Sequence, residues 1–302
     1  SFGLEAMGTI VYTIDTAGPA FKEHLSFFPA QDKGLLNDII ASSRPISSEA
    51  LKLVPENAVF VQASGYDYQK TLALINDAEP PFGPAVKDFF TQTAQAGFDI
   101  ENNLIKTLGG TLVIFATLPD TNTPIPGFGL IIENQGPEKV YPMLEAVQNE
   151  GFQLSRRDLS GLKVYSAQIP RLPVIPTLGT VKLEKTYIFL ASTPELFNST
   201  YLNAINNGAV PEHLAVKNDT LFFQYIDTAG LSTFGYTFAR PKLEAQLKRK
   251  RNLQDIAADI LPDAAIFRNA PPITVTAVKG IGTVTISPIP FTRPAAMLPV
   301  LA

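Results

Sequence analysis

The stretch Gly109–Glu133 constrains the fold most strongly, because it has the pattern of a strand, a loop and a return strand. Its two arms, Thr111–Thr117 and Phe128–Glu133, are rich in β-branched and aromatic residues. The connection Leu118–Gly127 contains three prolines, which interrupt a strand. The pattern predicts a β-hairpin in the core of a sheet, with a loop long enough to be either functional or plain surface.

Other strand-like segments follow one another across short turns, and such neighbours usually pair antiparallel. The sequence predicts four further hairpins and three single strands. The hairpins are Gly8–Ile14 with Phe21–Phe28, Phe152–Asp158 with Leu162–Ile169, Gly179–Leu183 with Tyr187–Ala191, and Ile273–Lys279 with Thr283–Ile289; the single strands are Ala58–Ser64, Leu221–Ile226 and Leu231–Ala239.

Helical periodicity appears between these strands. Ser192 and Glu195 have the spacing of a capping box at the start of one helix, with Pro194 in its first turn. The fold class we predict is α+β, mainly antiparallel sheet with helices packed on it. The predicted helices are Asp32–Ala41, residues 67–76 with Asp67 as N-cap, Pro84–Ala96, a segment from Asp99 to Leu108, Glu138–Glu150, Ser192–Asn206 and Pro241–Leu261.

A strand–helix unit recurs within the chain. Ala58–Asn76 and Tyr187–Asn206 both run from a strand through Ala-Ser into a helix that ends in Ile-Asn. Either duplication or chance explains so short a match. We therefore predict a single α+β unit over residues 1–302, with two similar strand–helix lobes as the finer hypothesis: 50–215, and 1–49 packed with 216–302.

Composition excludes several classes of protein. The 302 residues are 45% hydrophobic and 17% charged with a net charge of −4, which indicates a globular chain and no nucleic-acid partner. The absence of cysteine excludes disulfides, thiolate metal sites and cysteine nucleophiles. Ser1 is not an initiator Met, so we expect a trimmed or processed chain, for which a signal peptide or membrane tether outside this segment is an open alternative.

The sequence contains no recognisable motif of a catalytic, phosphate-binding or metal-binding site. Neither histidine, His24 or His213, lies near a candidate nucleophile in the sequence, and no phosphate-binding loop, zinc-protease or nucleophile-elbow motif occurs. Carboxylates are scattered, and a pair of them would have to meet through the fold. The sequence predicts no catalytic, cofactor-binding or metal-ligating residue, and it leans against an enzyme without excluding one.

Two weaker candidate sites remain. A basic cluster in the last predicted helix is either a solvated face or a contact for anions or anionic lipid headgroups: it consists of Lys248, Arg249, Lys250 and Arg251. The hairpin loop offers a candidate functional group of polar residues: Asp120, Asn122 and Thr123. The 20 phenylalanines fill either the core or an apolar groove between sheet and helices.

Three stretches together resemble a known family: Leu53–Val61, Ala96–Ile114, and Gly129–Glu133 followed by a helix. They are similar to a family of bacterial proteins classed only as a domain of unknown function, and Tyr187–Asn206 fits the same pattern. The resemblance covers about residues 50–230. It is a rhythm of apolar residues without catalytic signatures, and it implies a location outside the cytoplasm, in the periplasm or at the cell surface.

These observations lead to one main hypothesis and two alternatives. The main hypothesis is a non-enzymatic extracytoplasmic binding or structural protein of bacteria. The first alternative is a carrier of an apolar, lipid-like ligand in a groove between sheet and helices. The second is a hydrolase whose residues meet only in space. The partner is then another protein or an apolar small molecule, and no cofactor is expected.

Overall fold

A computed structural model describes residues 9–18, 20–28, 41–76, 82–95, 97, 99–119, 125–149, 153–169, 174–249, 261–278 and 282–287. Over these residues the chain forms one antiparallel sheet of twelve strands, flanked by helices. The α+β prediction with a mainly antiparallel sheet is therefore confirmed. The strands are β1 Thr9–Ala17, β2 Ala20–Phe28, β3 Ala58–Gly65, β4 Leu108–Thr117, β5 Phe128–Asn134, β6 Leu154–Leu159, β7 Leu162–Ala167, β8 Thr177–Lys182, β9 Thr186–Ala191, β10 Thr220–Ile226, β11 Ile273–Val278 and β12 Gly282–Ser287.

The strand order is β1-β2-β12-β11-β10-β3-β4-β5-β9-β8-β7-β6. Every predicted hairpin is present, and the central one pairs Val113 of β4 with Ile131 of β5. Three pairings join strands that are distant in sequence: β2 with β12, β3 with β10, and β5 with β9. These pairings unite the ends of the chain with its middle, so strands from both hypothetical lobes belong to one sheet. A division into two lobes stays a prediction.

Six α-helices and five short 3₁₀ helices lie in the described part of the chain. Asp67 caps the first α-helix as predicted, since its carboxylate accepts a hydrogen bond from Lys70 N at 3.1 Å. The α-helices are α1 Tyr68–Asn76, α2 Phe82–Gln95, α3 Ile100–Asn103, α4 Val140–Asn149, α5 Pro194–Asn207 and α6 Thr228–Lys248; the 3₁₀ helices are Ser48–Leu53, Ile105–Thr107, Pro137–Lys139, Glu212–Leu214 and Ala264–Phe267. The predicted helix Asp32–Ala41 lies outside the described residues, apart from its last residue.

The hydrophobic core lies on one face of the sheet, under α5 and the 3₁₀ helix Ser48–Leu53. Alternate residues of the central strands point to this face, as the period of a strand requires. Phe197 of α5 stacks on Phe189 of β9 with ring centroids 4.8 Å apart. The largest fully buried apolar side chains are Tyr187, Phe115, Phe189, Phe197, Leu51, Leu53, Ile131 and Leu214.

The prediction of a strand at Leu231–Ala239 is wrong, and so is the start of the last helix at Pro241. Leu231–Ala239 and residues 241–248 belong to the single helix α6, with Pro241 inside it, whereas residues 250–260 of the predicted last helix lie outside the described residues. A strand at Leu231–Ala239 could not form a hairpin with β10, because β3 and β11 occupy both of its edges. Asp227 instead caps a helix by accepting a hydrogen bond from Gly230 N at 2.9 Å.

The capping box at the start of α5 is also wrong. Thr193, one residue later than predicted, is the N-cap and accepts a hydrogen bond from Leu196 N at 3.1 Å. Ser192 instead accepts one from Phe128 N, at 3.2 Å, and so ties the helix to β5. The shift moves Glu195 out of the third helical position, where a capping box needs its acid.

Candidate functional site

An open groove of about 470 Å³ runs along the first turns of α6. We call it the α6 groove. The surface of its walls is mainly apolar, and its lining residues include alanine, leucine and phenylalanine beside threonine. The residues that line it are Leu118, Ala229, Gly230, Thr233, Phe234, Thr237 and Arg268.

The sheet fixes the start of α6 beside the groove. Asp227 follows β10 directly and donates its backbone N–H to the carbonyl of Val59 at 2.8 Å, which anchors the helix on β3. A Cβ atom at Gly230 would lie 2.3 Å from Asp227 Oδ2, so the close approach of the cap requires glycine there. Leu118 leaves the end of β4 on the opposite wall.

The segment between α6 and β11 forms the remaining wall of the groove. Tyr236 donates its hydroxyl to the carbonyl of Pro262 at 2.6 Å, and its ring lies 5.4 Å from that of Phe267. The hydroxyl of Thr228 donates a hydrogen bond to the carbonyl of Pro271. These contacts hold Arg268, which follows the 3₁₀ helix, at the groove. Its guanidinium makes no ion pair with any described residue.

The sequence-predicted basic cluster lies only partly within the described residues. Lys248 is the last residue of α6 and Arg249 is its C-cap, and both are exposed. Lys250 and Arg251 lie outside the described residues. The structure therefore places half of the cluster at the far end of the helix that lines the α6 groove.

The candidate loop residues Asp120, Asn122 and Thr123 lie outside the described residues as well. The described ends of their loop are held together, because Thr117 donates its backbone N–H to the carbonyl of Gly127 at 2.8 Å. The same loop begins with Leu118, which lines the α6 groove.

A buried polar cluster on the core face is the second candidate. Glu49 is buried, and its two carboxylate oxygens accept hydrogen bonds from the backbone N–H groups of Glu184 and Lys185, the latter at 3.0 Å. The Tyr187 hydroxyl donates to the same carboxylate at 3.0 Å and lies 3.0 Å from Ser47 Oγ. A serine, a phenol and a carboxylate therefore form one chain of hydrogen bonds.

This chain of groups does not activate the serine. Burial is the largest influence on Tyr187 and raises its pKa above the ordinary value. The hydrogen bond with the Ser47 hydroxyl lowers this pKa by less than burial raises it, and the charge and hydrogen bond of Glu49 raise it further. The phenol thus stays protonated while its O–H makes the hydrogen bond to Glu49, and a protonated phenol is not a general base for Ser47. With both of its oxygens bonded, Glu49 serves to hold the 3₁₀ helix Ser48–Leu53 against the β8–β9 turn.

Glu133 lies next to this cluster and is less completely satisfied. Its Oε1 accepts an ion-paired hydrogen bond from Lys185 Nζ at 2.9 Å, whereas its Oε2 is buried with no partner among the described residues. The Tyr68 hydroxyl is likewise buried and unpartnered there. Burial, followed by the neighbouring Tyr66 and the charge of Glu133, raises the pKa of Tyr68. A polar pocket of about 190 Å³ lies beside Tyr68 and Gly109.

The histidines stay apart from both candidates. His24 lies in β2 opposite Thr13, and His213 is exposed with its ring 4.8 Å from that of Tyr225. In the described part of the chain, no three His, Cys, Asp or Glu side chains lie together as a metal site would need. Among the same residues, no helix has both the length and the apolar composition that crossing a bilayer requires.

Sequence reasoning missed the α6 groove because it assigned residues 231–239 to a strand. The helical signal was present: Leu231, Phe234 and Phe238 are spaced by three and four residues, and Asp227 precedes them as a cap. Their aromatic and threonine-rich context favoured a strand instead. The Glu49 cluster carried no local signal, because Glu49 and Tyr187 are 138 positions apart.

Comparisons of the chain with protein-family models, with curated proteins and with solved structures found no match. The α6 groove and the polar cluster are therefore assessed by their own geometry and chemistry.

Proposed function

We propose that this protein is a non-enzymatic binding protein of a bacterium, that it acts outside the cytoplasm, and that it carries an apolar, lipid-like ligand in the α6 groove. The observation that carries the proposal is the groove of about 470 Å³ with mainly apolar walls. Pockets for small ligands typically measure about 300–1,000 Å³ and combine apolar walls with a few polar groups.

Arg268 supports a ligand with an anionic head. It is the one charged residue among those that line the groove, and it is exposed. A guanidinium binds carboxylate or phosphate oxygens through two parallel hydrogen bonds. The ligand class that fits is an acyl chain or a similar apolar body with a carboxylate or phosphate head.

The chemistry of the polar cluster supports a role without catalysis. The Tyr187 phenol keeps its proton, and Glu49 uses both oxygens for backbone and phenol hydrogen bonds that hold the fold. Such a network rigidifies the contact between the 3₁₀ helix Ser48–Leu53 and the core face of the sheet. The groove lies on a different element, α6, and has no acid or nucleophile among its lining residues other than threonine hydroxyls.

The extracytoplasmic location rests on the resemblance of residues 50–230 to bacterial proteins that are expected outside the cytoplasm. A chain without cysteine also tolerates an oxidising compartment. Fractionation of the source cells, with the chain detected by antibody, tests this part separately; recovery in the cytoplasmic fraction contradicts it.

Tryptophan fluorescence tests the groove directly. The chain contains no tryptophan, so Phe234→Trp introduces a single reporter into the groove wall. We expect decanoate, used below its micelle concentration, to shift the emission to shorter wavelength in a saturable way. We expect decanol to bind roughly tenfold more weakly, because it lacks the anionic head that Arg268 pairs with. The substitution Arg268→Gln should remove this difference.

The matched control is Phe89→Trp, which puts the reporter at an exposed phenylalanine on α2, away from the groove. Its emission should not respond to decanoate. An unresponsive reporter at position 234, or the same response at both positions, contradicts a ligand site in the groove.

We also propose that β3–α1 and β9–α5 derive from one duplicated strand–helix unit. In support, β3 and β9 flank the β4–β5 hairpin on opposite sides and run in opposite directions, and each is followed by a helix. Superposing the two units tests the idea. Helices that leave their strands toward different sides of the sheet contradict it.

A further inference from the structure

The outer side of α6 carries a continuous line of exposed side chains. Their spacing of three or four residues puts them on one face of the helix. We call this line the α6 ridge: Leu231, Phe234, Phe238, Lys242, Ala245 and Arg249. Only Phe234 also lines the α6 groove.

The first half of the ridge is apolar and open to solvent. Leu231 is 38% exposed, Phe234 41% and Phe238 68%. None of the 21 residues of α6 is buried, although the helix is capped at its start and anchored by Thr228 and Tyr236. An ordered helix with an uncovered aromatic face is typical of an interaction site.

The second half of the ridge is cationic. Lys242 Nζ lies 5.1 Å from the centre of the Phe238 ring, and Arg249 follows about two turns later on the same face. Lys248 is also exposed, but it lies about 100° round the helix from Arg249 and is not part of the ridge. None of these three forms an ion pair with a described residue. The one acid in α6, Glu244, is paired with Arg240 at 2.9 Å. The positive charge is local, because the whole chain has a net charge of −4.

We propose that the α6 ridge docks the protein on a bilayer surface that contains anionic phospholipid. Leu231, Phe234 and Phe238 enter the boundary between headgroups and acyl chains, while Lys242 and Arg249 contact the headgroup phosphates. Helices that lie on membranes combine an apolar face with lysine and arginine on the polar face. In α6 the basic ridge residues lie on the same face as the apolar ones, nearer the C-terminus of the helix. Each basic residue near an anionic surface adds to the attraction, which salt weakens.

A membrane fits the ridge better than a protein partner does. The ridge is a single convex helix face. A protein partner would need both an apolar surface for the phenylalanines and acidic groups at fixed positions opposite Lys242 and Arg249. A fluid surface of mobile anionic headgroups supplies them without any register. The docking stands independently of the ligand proposal, since residues other than those of the groove carry most of it.

The fluorescence emission of a tryptophan at the most exposed position of the ridge tests the docking proposal. Phe238→Trp provides one reporter in a chain that has no other tryptophan. We expect its emission to shift to shorter wavelength with vesicles of phosphatidylcholine and phosphatidylglycerol, and much less with phosphatidylcholine alone. Phe89→Trp is the matched reporter on α2, where Phe89 is 52% exposed, and should not respond.

Co-sedimentation with the same vesicles separates the two halves of the ridge. We expect Phe238→Ser to weaken binding roughly tenfold through lost apolar contact, and Lys242→Glu with Arg249→Glu to weaken it at least about tenfold through reversed charge. Lys87→Glu, an exposed charge reversal on α2, should lower binding far less. Circular dichroism checks that each variant is folded.

Three results would overturn the docking proposal. One is that the unaltered chain sediments with neither vesicle type, or equally with both. Another is that the ridge variants bind as the unaltered chain does. The third is that sedimentation velocity, without vesicles, finds a dimer that Phe238→Ser dissociates, because the ridge is then a contact between two copies of the chain.

Discussion

At the scale of single residues, the side chain of Glu133 packs on Gly109 in β4. An ideal Cβ atom at position 109 would lie 2.3 Å from Glu133 Cγ. We expect Gly109→Ala to push Glu133 away from Lys185 and to lower the free energy of unfolding by about 1–3 kcal/mol. Urea denaturation followed by circular dichroism measures this change.

The neighbouring Gly110 is the matched control for this substitution. A Cβ atom there would meet its nearest neighbour, Arg44 Cδ, at 3.8 Å, which is ordinary contact. We therefore expect Gly110→Ala to leave the free energy of unfolding within about 0.5 kcal/mol. Equal losses at both positions would contradict the packing of Glu133 on Gly109.

Tyr187 gives a pH dependence whose sign follows from its raised pKa. Folding favours the protonated phenol, so the contribution of Tyr187 to stability is complete below its ordinary pKa of about 10 and is lost as the pH rises through the higher folded-state pKa. We expect the unaltered chain to lose stability between about pH 9 and 11 more steeply than Tyr187→Phe does.

Urea denaturation across that pH range measures how steeply the free energy of unfolding falls with pH in each protein. Taking the difference between the two slopes removes the effect of lysines that titrate in both proteins. Tyr201→Phe on α5 is the control, because it removes a phenol outside the Glu49 cluster. If Tyr187→Phe has the same slope as the unaltered chain, the phenol is not held in its protonated form by this cluster.

Core positions were predictable at this scale, and the polar cluster was not. Val113, Phe115 and Ile131 alternate along their strands, and this periodicity assigns them to one face. Glu49 meets the backbone of Glu184 across 135 positions of sequence. Such a contact depends on how the 3₁₀ helix is laid over the sheet, which no local pattern specifies.

At the scale of elements, the N-cap of α5 is Thr193 in the structure, whereas the sequence predicts Ser192. Thr193 accepts the hydrogen bond from Leu196 N. We expect Thr193→Ala to lower the free energy of unfolding by about 1 kcal/mol, and Glu195→Gln to change it by less than about 0.5 kcal/mol. Thermal and urea denaturation measure the change in the free energy of unfolding for both variants. A larger decrease for Glu195→Gln than for Thr193→Ala would support a capping box that includes Glu195.

Helix α6 explains why strand and helix were confused. Its threonines and aromatic residues have strand propensity, and no buried face enforces the helical period from within the core. The segment cannot form a hairpin with β10, because both edges of β10 are occupied, and the helix is favoured because Asp227 caps its first turn. The first of these causes lies in the topology of the sheet, which sequence periodicity does not contain.

At the scale of the whole molecule, the sheet brings distant segments to one end of the central strands. Ala58 in β3 pairs with Thr117 in β4, while Phe60 pairs with Ile226 at the end of β10. Leu118 and Asp227 follow directly from these strands, so the hairpin loop and α6 meet at the groove. The hairpins were predictable from local alternation, but the pairings of β3 with β10 and of β2 with β12 were not.

The proposed ligand site in the α6 groove leads to a prediction for the whole molecule. Native mass spectrometry of the chain after incubation with a bacterial lipid extract tests it most directly, with extraction of the complex to identify the bound molecule. Thr237→Trp puts a bulky side chain into the groove from an exposed position, and Gln246→Trp places the same side chain on α6 outside it. We expect one apolar adduct per chain, lost in Thr237→Trp and retained in Gln246→Trp. A bare mass for the unaltered chain, or an adduct that survives Thr237→Trp unchanged, would contradict it.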